Sequence, residues 1–199
     1  MGRRGDAARS ALLSAAERIL AQEGAAALTT RRIATEAEFN QSVVHYYFGS
    51  LDNLCAQLIE RVSRSLISRQ KEIFSSAEPF AAQWAQATEP LRGDRDAVKV
   101  WVELSTMALN RPQLNEMMVA ADDEWTGILV DAFDRQWRRS GGNEGLFPSR
   151  AYAGLTLAFL KGLYLEHALG RDGHHTEVLQ LSGRLLESFD GQLLARLLG

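Results

Sequence analysis

The sequence predicts an all-α fold of about nine helices, because apolar residues recur at helical spacing almost from end to end. No stretch of strand length alternates convincingly between apolar and polar residues. The four prolines stand near expected helix starts or in loops, where a missing N–H does no harm. Leu12, Ala16 and Ile19, flanked by Leu13 and Leu20, form the stripe of a first helix, and Gly24 stops it. Thr29 is a good N-cap for a short second helix carrying Ile33, Ala34 and Ala37. Asn40 is placed to cap a third short helix through Phe48, and Gly49-Ser50 breaks it. Ser50 can cap a longer fourth helix with Leu54, Leu58, Val62 and Leu66 on one face. Five more helices are expected near Pro79–Thr88, Asp94–Asn110, Pro112–Arg139, Ser149–Gly170 and Thr176–Leu198. The glycine-rich run SGGNEGLFPS is the clearest loop.

Composition narrows the function classes. With 199 residues and 46% apolar content, the chain can bury a proper core in one domain, or in a small and a medium one. A single cysteine, Cys55, excludes an internal disulfide and a multi-cysteine zinc site, and is expected to be a packing residue. The best membrane candidate, Ala151–Leu165, is interrupted by Lys161 and is too short, so a soluble cytoplasmic protein is expected. The net charge of −3 argues against a nonspecific polycation. That charge is uneven. Residues 1–71 hold 10 basic and 7 acidic groups, whereas residues 72–199 hold 12 and 18. The asymmetry suggests two parts with different partners. Residues 1–52 alone carry six of each sign, so any claim on DNA rests on where particular side chains sit.

Two short helices joined by a tight turn and braced by a third are the plan of a helix-turn-helix. In the second short helix, QSVVHYYF, Val44 and Phe48 lie four apart and should face inward. Gln41, Ser42, His45 and Tyr46 then lie towards the opposite side. That side offers amide, hydroxyl, imidazole and phenol groups without a carboxylate. Such groups can meet base edges or phosphates, but they would equally suit a polar face turned to water.

The run LTTRRIATEAEFNQSVVHYYFGSLDNL resembles the N-terminal pattern of the TetR family of bacterial transcriptional repressors. The matching residues are Thr29, Arg31, Ile33, Ala34, Ala37, Tyr46, Tyr47, Phe48, Ser50, Asp52 and Leu54, and Ala16–Gly24 fits the family's first helix. The resemblance implies a DNA-binding domain in residues 1–52 and a ligand-binding and dimerisation domain in residues 53–199. It implies that Thr29 caps a helix facing a phosphate and that Arg31 reaches base edge or phosphate. Gln41, Ser42 and Val43 would start the recognition helix in the major groove. Tyr46 and Tyr47 would meet phosphates, and His45 either contacts DNA or packs as a neutral residue. Arg3 and Arg4 would form a basic arm or a solvated tail. Three departures stand out: Glu38 where the family usually has glycine, Leu51 where it has lysine, and Arg32 where an acidic residue is common. The first two argue for weakened operator binding, and Arg32 would partly offset them.

Beyond residue 53 no phosphate loop, nucleophile elbow or zinc-protease motif occurs, so no enzyme activity and no cofactor are expected. His174-His175 with Glu177 lie in a glycine-bounded loop and are read as solvated, so no metal is expected. Aromatic and sulfur side chains in the middle helices are core first. Trp84, Trp101, Met107, Met117, Trp125 and Phe159 are also the candidates to line an effector pocket, with Glu103, Glu116 or Asp122 orienting a polar or cationic ligand. Small and aliphatic residues mark one face of each of the last two helices. Leu155, Ala158, Gly162 and Leu165 on one, with Leu186, Phe189 and Leu193 on the other, are the candidate dimer interface. The functional expectation is a homodimeric regulator, in the sense of a repressor, that binds a pseudo-palindromic double-stranded DNA operator and is released by a small molecule. The alternative is a binding module on the same fold whose operator recognition has weakened or been lost.

Overall fold

The computed structural model describes residues 3–92, 95–139, 148–171 and 173–188, and every regular element among them is helical. The helices are α1 (Arg3–Glu23), α2 (Thr30–Glu36), α3 (Gln41–Phe48), α4 (Leu51–Ser75), α5 (Phe80–Ala87), α6 (Arg95–Ala108), α7 (Pro112–Arg139), α8 (Ser149–Ala168) and α9 (His175–Ser188). Short 3₁₀ turns follow α1 (Ala25–Ala27) and α5 (Glu89–Arg92). Helix α1 starts at Arg3, so Arg3 and Arg4 belong to its first turn and form no separate arm. The alanines that follow favour helix, and Asp6 in the first turn suits the positive end of the dipole. The expected continuation of α9 to Leu198 lies outside the described residues.

Local chemistry sets the helix ends. Thr29 Oγ1 accepts from Arg32 N at 3.1 Å and caps α2, and Ser50 Oγ accepts from Asn53 N at 3.1 Å and caps α4. Asn40 stands at the start of α3, but its side chain makes no capping bond. Gly24 (φ 80°) ends α1. Helix α2 ends in a Schellman motif, with Phe39 N bonding Ala34 O at 2.9 Å and Glu38 N bonding Thr35 O at 3.2 Å. That motif needs a left-handed residue, and Glu38 supplies it at φ 59°. A side chain with Cβ resists this conformation by about 1 kcal/mol or more. Glu38→Gly is therefore expected to raise unfolding stability by about 1 kcal/mol, which thermal denaturation would register.

The chain divides into two compact units. The first comprises residues 1–64 and 96–120. Its core joins Leu12, Ile19 and Leu20 of α1, Ile33 of α2, Val44 and Phe48 of α3, Leu54 and Leu58 of α4, Leu104 of α6 and Leu114 of α7. Cys55 is fully buried there, and burial pushes its thiol up to about 11, so it is a packing residue. Helix α6 braces the end of α1. Glu103 Oε2 accepts from Ala25 N at 2.9 Å, and Lys99 Nζ donates to Ala21 O at 3.3 Å.

The second unit comprises residues 65–95 and 121–199. Aromatic packing dominates it: Phe80 meets Phe133 at 5.5 Å between ring centroids, and Trp137 meets Tyr152 edge-on at 5.0 Å. Arg135 Nη2 donates to Phe74 O at 2.8 Å near the C-terminal end of α4. Trp84 Nε1 donates to Leu179 O at 3.1 Å, tying α5 to α9. No helix among the described residues is long and apolar enough to cross a membrane.

Candidate functional site

The candidate DNA-reading surface is built by α2, the turn after it, and α3. Val44 and Phe48 turn into the core of the first unit, which leaves Gln41, Ser42, His45 and Tyr46 exposed on the other side of α3. Tyr46 is 77% exposed and meets Tyr47 edge-on at 5.0 Å. Tyr47 is half-buried, and its hydroxyl lies 3.6 Å from where a Cβ on Gly5 would sit, so α1 packs close to it. Val43 is half-buried against the core, which leaves part of its side chain for an outside contact. His45 Nδ1 lies 3.3 Å from Gly49 O at the end of the helix. Gly49 (φ 73°) makes the turn into α4, and Asn53 Nδ2 donates to Phe48 O at 3.0 Å across it. Gln41 does not stand alone, since its Nε2 donates to Thr30 Oγ1 at 2.9 Å.

The two arginines of α2 have different environments. Arg31 is exposed, and no carboxylate among the described residues pairs with it. Arg32 is held by Glu23 at 2.6 Å and Glu36 at 3.0 Å, while Arg18 reaches Glu36 at 2.8 Å. Hydrogen bonds from Arg18 and Arg32 hold the Glu36 carboxyl below its ordinary value. The network's contribution is thus present at neutral pH and fades as pH falls through that lowered value. Arg32 is thus engaged by Glu23 and Glu36, and its charge compensates theirs. Leu51 is half-buried and packs against the core, where a lysine would have projected. The Arg32–Glu36 pair follows from its i,i+4 spacing on α2, whereas Arg18–Glu36 and Arg32–Glu23 join α1 to α2 across the 3₁₀ turn and leave no signal in the sequence beyond the residue types.

The effector candidates fall into both units. Met107 is buried in the core of the first unit, and Trp101 and Met117 pack against that core. Trp84 and Trp125 are buried in the second unit, and Phe159 is half-buried there. Trp125 stacks on Tyr164 at 6.1 Å. Burial pushes the Tyr164 phenol well above its ordinary range, so it is neutral at any working pH. Among the expected ligand-orienting carboxylates, Glu103 caps the turn after α1, Asp122 is paired with Lys161, and Glu116 is exposed. No cluster of metal-binding side chains occurs among the described residues.

Helix α8 presents two faces. Tyr152, Thr156, Leu160, Leu163 and Tyr164 are buried, while Leu155 (67% exposed), Ala158, Gly162 and Leu165 (48%) are exposed. On α9, Leu179 turns into its own unit's core, and Leu181 and Leu185 are the exposed apolar residues. The side chains of Leu186, Phe189 and Leu193 lie outside the described residues.

Comparison with known proteins agrees with this geometry. Residues 12–58 match the family model described as bacterial regulatory proteins of the tetR family. Residues 80–191 match that of the BetI-type transcriptional repressor, C-terminal domain. The HTH-type transcriptional regulator BetI of Brucella canis is 26% identical over 168 residues, covering 82% of this chain and 81% of that protein. A transcriptional regulator from Rhodococcus sp. Rha1 superposes with a TM-score of 0.77 at 18% identity, covering 92% of this chain and 96% of its own. A transcriptional regulator from Saccharomonospora viridis, solved in complex with choline, superposes with a TM-score of 0.77 at 19% identity, covering 90% and 94%.

Proposed function

The chain belongs to the TetR family of bacterial regulatory proteins, with the C-terminal domain of BetI-type repressors, and is a ligand-responsive DNA-binding repressor; we propose that it acts in the cytoplasm as a homodimer. The observation that carries the DNA-binding reading is the exposed, carboxylate-free face of α3 beside the exposed Arg31. Gln41, Ser42 and Val43 enter the major groove. Thr29, Tyr46 and Tyr47 meet phosphates, with His45 beside them. Residues 1–52 do this work, and residues 53–199 carry effector binding and pairing. The exposed stripe Leu155, Ala158, Gly162 and Leu165 pairs with its symmetry mate, joined by Leu186, Phe189 and Leu193 near the chain's end. Pairing is required because two recognition helices must meet successive major grooves ~34–36 Å apart on a pseudo-palindrome. The reading in which operator recognition is lost is not favoured, since the N-terminal family match runs through both Glu38 and Leu51.

The effector is a small organic cation. The structural relative solved with choline supports this class. So does the buried Trp125–Tyr164 stack, whose neutral ring faces can attract a cation. Asp122 lies one helical turn before Trp125 and would exchange Lys161 for the ligand. Of the six effector candidates, Trp125 and Phe159 form pocket walls. Trp84 and Met107 are core residues, and Trp101 and Met117 pack against the core. The ligand favours a conformer with wrongly spaced recognition helices, so release is a population shift. Choline and its uncharged carbon isostere, 3,3-dimethylbutan-1-ol, should be compared by thermal shift and by DNA release. Choline alone is expected to raise the melting temperature and free the DNA. Equal effects from both compounds, or none from either, would sink the cation reading.

Leu51→Lys restores a candidate phosphate contact. It is expected to steepen the dependence of log K on log salt by about 0.9 per subunit. An unchanged slope would show that α4 does not start at a phosphate.

A further inference from the structure

We propose that Thr30 is a positioning residue that makes the base-reading amide of Gln41 discriminate adenine from guanine. The proposal rests on the reading that Gln41 enters the major groove. Gln41 opens α3 and is exposed, and Thr30 is the first residue of α2. The bond from Gln41 Nε2 to Thr30 Oγ1, at 2.9 Å, therefore spans the turn of the helix-turn-helix. Elsewhere on this face His45 makes only a local contact within its own turn, to Gly49 O. Gln41 is tethered to the other helix of the motif.

The chemistry of a primary amide makes that tether selective. Gln41 has two N–H donors and one carbonyl acceptor. Thr30 takes one donor. One N–H and one C=O remain for a base. Adenine presents an acceptor, N7, beside a donor, the N6 amino group, so the remaining pair is its complement. Guanine presents two acceptors, N7 and O6. A free glutamine can answer guanine by turning both N–H groups towards it. The tethered amide cannot do so without giving up Thr30, and otherwise its carbonyl oxygen confronts O6. Thr30 thus removes the response that would let Gln41 tolerate guanine. It also lowers the ordering cost of reading adenine, because the amide is already held.

Thr30→Val keeps the shape and removes the acceptor, whereas Thr30→Ser keeps the acceptor. Duplexes bound by the native protein would be selected from a randomised library. Each adenine of the selected site would then be changed to guanine, pair by pair. Dissociation constants would be measured by fluorescence anisotropy for the native protein and the Thr30→Val, Thr30→Ser and Gln41→Ala variants, with melting temperatures recorded alongside. Gln41→Ala is expected to flatten the adenine preference at one position per half-site. At that position Thr30→Val should lose roughly two- to twelvefold of the preference, the net worth of a neutral hydrogen bond. The loss should come mainly through tighter binding of the guanine duplex. Thr30→Ser should keep the preference. A merely structural role would weaken both duplexes together. If Gln41→Ala flattens the preference while Thr30→Val leaves it intact, or weakens both duplexes equally, the role of Thr30 is overturned and base reading by Gln41 stands. If Gln41→Ala changes no position, the groove reading falls and the role of Thr30 falls with it.

Discussion

Gln41→Ala is expected to leave the protein able to bind DNA while costing about 1–3 kcal/mol of discrimination at one base pair of each half-site. The reason is positional. Gln41 begins the helix whose other face is buried, and an amide is one of the few side chains that can offer a base edge a donor and an acceptor together. Alanine is a good helix former, so α3 should survive the change. Tyr46→Phe should behave differently. Phenylalanine keeps the ring that meets Tyr47, but it loses an exposed hydroxyl able to donate to a phosphate. Binding should weaken on every sequence alike, by about 1.5 kcal/mol or more, as for a hydrogen bond to a charged group. Competition titrations with single-substituted duplexes separate the two behaviours. If Gln41→Ala weakened all duplexes equally, it would be a positioning contact and not a reading one.

Trp84→Ala is expected to destabilise the protein by about 3–5 kcal/mol, the usual cost of deleting a large buried aromatic. Trp84 stacks on Phe80 at 6.5 Å between centroids and donates its indole N–H to Leu179 O. Removing it opens a cavity and unties α9 from α5. The fit is close on the other side too. A Cβ built on Gly183 would lie 2.9 Å from Trp84 Cδ1, so α9 approaches the indole only because it carries glycine there. Gly183→Ala should therefore cost about 1–3 kcal/mol through overpacking, although alanine is otherwise the better helix former. Thermal unfolding measures both. A neutral or stabilising Gly183→Ala would contradict the packing described here.

Features governed by neighbouring residues could be read from the chain itself. Thr29, Ser50 and Gly24 act within a few residues of themselves, so their capping and stopping roles follow from local chemistry. The inward turn of Val44 and Phe48 follows from helical spacing. Other features depended on contacts far apart in sequence. Glu103 stood out as a ligand-orienting candidate, yet it serves the backbone of Ala25, 78 residues away. Arg32 pairs with Glu36 on its own helix as i,i+4 spacing allows, but its second partner, Glu23, comes from α1. The stop at Glu38 gave no local warning, because glutamate rarely takes a left-handed conformation, and only the family pattern hinted at it. Thr30 carries no local signal beside the capping Thr29, because its partner Gln41 lies on the next helix.

The function proposed for this chain stands or falls with the outward face of α3 reading DNA sequence. The most direct test is a fluorescence anisotropy titration of the native protein against the duplex upstream of its own gene and against a scrambled duplex, at several salt concentrations. The expected result is saturable binding that falls steeply with salt and prefers the upstream duplex by about 10³-fold or more. In Gln41→Ala that preference should be reduced while the salt slope stays the same. Equal affinity for both duplexes, or no salt-sensitive binding at all, would contradict it.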